Sequence, residues 1–197
     1  MRITKNILLS ATMAAFMLPA VAQTTDNTNS PRIDQREENQ QQRIGNGIDN
    51  GSLTASEAAR IERKENAINK EEQRMKSDGN FTAKERARVT HQQNVMSRRI
   101  YAQKHDGQAQ NTNPKTEIGQ RKENQQDRIA QGVKSGQLTA RETARLEGRE
   151  AHINRETRAM RAANGGKLTP AEKAKVNRQQ NRVSRSIYHQ KHDAQHR

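Results

Sequence analysis

Apolar residues return along this chain at helical spacing. Ile61, Ile68 and Met75 stand seven residues apart, Leu146, Ile153 and Met160 repeat the interval, and Val89, Met96 and Ile100 are matched by Val176, Val183 and Ile187. Ile44 and Ile48 are echoed by Ile129 and Val133. Recurrence at three, four and seven residues puts such side chains on one face of a helix. The pattern predicts six helices, over about 33–49, 55–77, 83–105, 118–134, 140–163 and 170–193.

These helices come as two sets of three. The chain from Ile33 to Asp106 nearly repeats itself from Ile118 to Asp193, with an offset of 85 residues that becomes 87 near Gly165. ENQQQRI at 38–44 answers to ENQQDRI at 123–129, and SRRIYAQKHD at 97–106 to SRSIYHQKHD at 184–193. The expected fold is all-α, a tandem duplication of a three-helix antiparallel hairpin unit, because short loops join antiparallel neighbours. The polar stretch at 107–117, with its Gly, Asn, Thr and Pro, reads as a linker between the unit at 33–106 and the unit at 118–193. Residues 23–32 read as a mobile tail and 194–197 as a short terminal one. The apolar stripes are narrow, closer to a coiled-coil seam than to a globular core. A single unit is therefore marginal, and pairing of the two units, or a homodimer, would remedy it.

Four corners separate the helices, and all four carry one pattern: NGSLTASE from Asn50, DGNFTAKE from Asp78, SGQLTARE from Ser135 and GGKLTPAE from Gly165. Threonine followed three residues later by glutamate is a capping box, in which Thr54 pairs with Glu57, Thr82 with Glu85, Thr139 with Glu142 and Thr169 with Glu172. The pattern also resembles the second half of an EF-hand loop, with Gly79 and Glu85 at loop positions six and twelve. Its first half departs from that family: Arg74 and Lys76 occupy positions one and three, so only Asp78 and Glu85 are left as carboxylate ligands for calcium. The Leu-Thr-x-x-Glu corners further resemble the LTxxQ signature of Spy/CpxP-type periplasmic helical proteins, with Glu57, Glu85, Glu142 and Glu172 where that family has glutamine. The resemblance implies a small, exported, all-helical, cysteine-poor protein with chaperone-like behaviour.

Composition narrows the function classes. Arg2 and Lys5, the apolar run from Ile7 to Leu18 and the small-residue site Ala20-Val21-Ala22 read as a secretory signal peptide over 1–22, which predicts a periplasmic or secreted product. No later segment is apolar enough to span a membrane. The chain has no cysteine, which removes disulfides, thiolate metal sites and thiol nucleophiles. The formal charge of +14 becomes +12 once the leader is removed, a bias that favours anionic surfaces and polymers. The third helix of each set is the most basic, with a net +4 over 82–106 and over 169–193. Arg98, Arg99, Lys104, Arg178, Arg182, Arg185 and Lys191 are its candidates for anion or client binding. Near the end His189, His192 and His196 stand at i, i+3 and i+7, a spacing that suits a transition metal. No nucleophile elbow or glycine loop after a strand is present, so the chain reads as a non-enzymatic protein without an obligate cofactor.

The leading expectation is an exported basic helical module that captures unfolded or acidic proteins in a chaperone-like way. Binding of anionic envelope polymers, or a structural role among them, is the first alternative, and divalent-metal binding at the corners or the terminal histidines is the second.

Overall fold

The computed structural model describes residues 27–110 and 115–195. It is all-helical: α1 is Pro31–Asp49, α2 Ala55–Met75, α3 Ala83–Lys104, α4 Glu117–Lys134, α5 Ala140–Ala163 and α6 Pro170–Lys191. The bounds follow the apolar periodicity to within two residues at every end. No described helix is long and apolar enough to cross a membrane. The signal-peptide reading, residues 23–26 of the tail, residues 111–114 of the linker and His196 lie outside the described residues.

Each corner is built by the same local chemistry. Thr54, Thr82, Thr139 and Thr169 accept a hydrogen bond from the backbone N–H three residues on, and the glutamate there accepts from the threonine N–H in return. Two helix-end donors are satisfied at once. At the first corner Gly51 takes φ +71°, the left-handed region open to glycine, and the Leu53 N–H returns to the Gly47 carbonyl at 2.8 Å. Leu138 returns to Gly132 in the same way at 3.0 Å. Both leucines are wholly buried, so these corners anchor the core as well as reversing the chain.

The most extensive helix contacts run between the two sets of three: α2 lies against α5 and α1 against α4. One continuous core therefore joins Ile44, Ile61 and Ile100 with Ile129, Leu146 and Ile187. The linker is tied down where it leaves the first set, with the Gln110 N–H donating to the Gly51 carbonyl at 2.8 Å. The stretch read as a mobile tail contributes to the fold from Asn27 onward. Asn27 bridges to Asn80, Ser30 is 3% exposed, and α1 begins at Pro31, a residue suited to the first helical turn.

The core is rich in polar groups. Gln41 donates to Glu62 at 3.3 Å and Gln126 to Glu147 at 3.2 Å, while Gln40 and Gln125 each donate to a carbonyl of the facing third helix at 2.7 Å. Glu65 and Glu150 are buried on α2 and α5, and neither Glu150 oxygen has a hydrogen-bond partner. Burial, with Glu37 nearby, pushes the Glu65 carboxyl up to about 8. Burial does the same to Glu147, to about 8, helped by Glu150, and to Glu150, to about 7. A carboxyl in such a setting keeps its proton because the charged form is poorly solvated there.

Candidate anion-binding groove

Inward-facing glutamates leave a strongly basic surface on α5 and α6, where Glu156, paired with Lys175 at 2.5 Å and 4.0 Å from His152, is the carboxylate that stands nearest. α5 carries Arg141, Arg145, Arg149 and His152 at i, i+4, i+8 and i+11, and its Glu147 and Glu150 point into the core. α6 carries Arg182, Arg185 and His189 at i, i+3 and i+7. These two stripes, with Arg63 from α2, line a groove of about 1170 Å³ whose walls include no Asp or Glu. Ala144, Ile153 and Val183 provide its apolar floor.

Among the described residues none of the six arginines forms an ion pair. Arg149 donates to the Ser186 hydroxyl at 2.6 Å, which ties the α5 stripe to α6. The arginines thus line one open space, and a guanidinium group offers a planar fork of donors to phosphate, sulfate or carboxylate. Gly148 lies in the middle of the α5 stripe, and a Cβ there would meet nothing within 4 Å. Eighty-five residues earlier the matching position is Arg63, so the groove is open where the first set of helices carries a long side chain.

The candidates taken from sequence divide. Arg182 and Arg185 line the groove, and so does His189, read from sequence as a metal ligand. Arg98, Arg99 and Arg178 are exposed but belong to no such concentration. The Lys104 ammonium donates to the Arg43 carbonyl at 3.4 Å and that of Lys191 to Gln131 at 3.1 Å, so both help hold a third helix to a first. His192 stacks on Tyr188 with ring centroids 4.2 Å apart, its Nδ1 2.7 Å from the Tyr188 carbonyl. At the second corner Glu85 is engaged by Thr82 and Asp78 accepts from the Asn80 N–H. Among the described residues no three His, Asp or Glu side chains converge on a common point where a metal could sit.

Net charge per helix concealed the α5 stripe, because glutamates dilute the arginines in a simple sum. The i, i+4, i+8 spacing of Arg141, Arg145 and Arg149 was the available signal, once the glutamates between them are assigned to the buried face. Compared with protein-family models, with curated proteins and with solved structures, the chain matches none.

Proposed function

We propose that this protein is a non-enzymatic binding module for anionic polymers, gripped by the arginine groove of α5 and α6. The carrying observation is a concave surface lined by six arginines and two histidines without a carboxylate. A structural ion-pair network would have interleaved the two signs; this surface concentrates one. Release of counterions from a polyanion supplies affinity for such a surface without sequence or stereochemical specificity. On this reading the leader directs the chain to the periplasm or the medium, where anionic envelope polymers are its partners. The chain is further read as a tandem duplication whose two copies pack on each other; the matched Gln41–Glu62 and Gln126–Glu147 bonds support this.

Chaperone-like capture of acidic or unfolded proteins is the second reading, and the apolar floor of the groove favours it. Against it, the seams that would hold apolar client segments are occupied: Ile61, Leu146, Val89 and Val176 are all buried. Val95, Tyr101 and Tyr188 are the large apolar residues that stay exposed among those described.

The test is titration with fluorescent long-chain polyphosphate across a salt series. The wild type should bind with an affinity that falls steeply with salt, and the triple variant R145E/R149E/R182E should weaken binding by well over ten-fold and flatten the slope by about 2. Binding unchanged in that variant would sink the groove as the grip. Suppression of client aggregation that persists at high salt would instead favour the chaperone reading.

A further inference from the structure

A second basic cavity lies elsewhere on the molecule, and the repeat supplies an internal control for it. Thr54, Ser56 and Arg60 at the start of α2, Gly119 and Lys122 in α4, and Thr157, Arg158 and Arg161 in the later half of α5 surround a space of about 420 Å³. Gln110 closes one side. No Asp or Glu lines this cavity either.

At the positions 85 residues earlier the same place is filled by side chains that bond to one another. Ser30 donates to Glu72 at 3.2 Å and to Asp34 at 3.1 Å, Lys76 pairs with Glu72 at 2.6 Å, and Asn69 donates to Glu37 at 2.6 Å. In the second set Asp34 is answered by Gly119, Glu37 by Lys122 and Glu72 by Thr157, whereas Lys76 is answered by Arg161. The second set has no carboxylate at these three positions, carries Lys122 and Arg158 where the first has Glu37 and Gln73, and keeps a cation opposite Lys76. The Thr157 hydroxyl, on a residue only 8% exposed, has no hydrogen-bond partner, and the buried Gln110 amide nitrogen has none either. Buried polar groups of this kind are normally satisfied, so the cavity offers donors that the fold itself does not use.

We infer that this cavity is a binding site for a small, multiply charged oxyanion compound, whose phosphate or carboxylate groups occupy the place of the three missing carboxylates. Arg158 and Arg161 supply the charge, beside Lys122, which also faces Glu150 and Glu147, and Thr157 and Gln110 supply neutral donors. The volume suits a compact organic anion rather than a polymer, so the site is separate in chemistry as well as in place from the arginine groove.

Calorimetry of the full chain at constant ionic strength, with pyrophosphate in one arm and citrate in the other, tests this. At least one should bind at a single site, and the tighter of the two identifies phosphate or carboxylate as the preferred group. Lys122→Glu and Thr157→Glu each place there the residue found 85 positions earlier and should weaken binding about ten-fold or more, because each sets a carboxylate against the anion. Arg158→Ala, at an exposed position that leaves folding intact, should weaken it too, and Arg145→Ala in the groove should leave it within about two-fold. The proposal is overturned if neither anion binds, if Arg158→Ala and the restoring variants bind as the wild type does, or if Arg145→Ala abolishes binding.

Discussion

Gly132 and Gly148 show how two glycines of one chain serve opposite purposes. Gly132 lies in α4 under the corner leucine, and a Cβ there would come within 2.7 Å of Leu138 Cγ and Cδ1. Gly47 holds the same relation to Leu53. The close approach lets each corner leucine sink into the core and brings its N–H back to the glycine carbonyl. Gly148 has open space beside it and needs no special backbone angle. Gly132→Ala should therefore lower stability by about 1–3 kcal/mol through overpacking. Gly148→Ala should raise it by about 0.5–1 kcal/mol through helix propensity alone. Thermal melts of the two variants check the contrast, and equal shifts in one direction would refute the assignment of distinct roles.

Among the elements, α2 and α5 carry the main contact between the two sets of helices, and they carry it with buried carboxyls. A glutamate in the unfolded chain titrates near about 4.3, while Glu65 and Glu147 are held up at about 8 and Glu150 at about 7. The folded state thus binds protons that the unfolded state has released, so stability is fully present below about pH 4 and is lost as pH rises through about 7 to 8. The melting temperature should fall between pH 5 and pH 9. Glu147→Gln, which is neutral at every pH and nearly the same shape, should flatten that profile and stabilise the protein at pH 8. A melting temperature that climbs from pH 5 to pH 9 would show that these carboxyls are ionised in the fold. This interface also marks where the sequence stopped being legible. The apolar period located all six helices and the Thr-x-x-Glu spacing located four capping boxes, because both are local signals. Glu62, Glu147 and Glu150 read as surface charges in a sum over α2 and α5, since their burial depends on the partner helix. The same misassignment hid Arg141, Arg145 and Arg149, whose significance appears only when the glutamates between them turn inward.

Across the whole molecule, the narrow seams explain why neither set of three helices is sufficient. α2 rests on α5 and α1 on α4, and Ile44, Ile61, Ile129 and Leu146 share one core, so separating the sets would expose apolar side chains on both. A chain of residues 27–110 alone should be largely unfolded at low concentration. The two halves are alike in sequence along these very faces, with Ile61 answering to Leu146 and Glu65 to Glu150, so a second copy can supply what α5 supplies. Helicity of the half chain should therefore rise with concentration as it forms a dimer, because obligate association ties stability to protomer concentration. Circular dichroism across a dilution series, paired with sedimentation, reads both quantities together. A half chain that is fully helical and monomeric at low concentration would mean that each set folds on its own and that the α2–α5 contact is only a docking surface. Concentration-dependent folding would mean that the face α2 presents to α5 is an interface that two copies of the half chain can form for themselves.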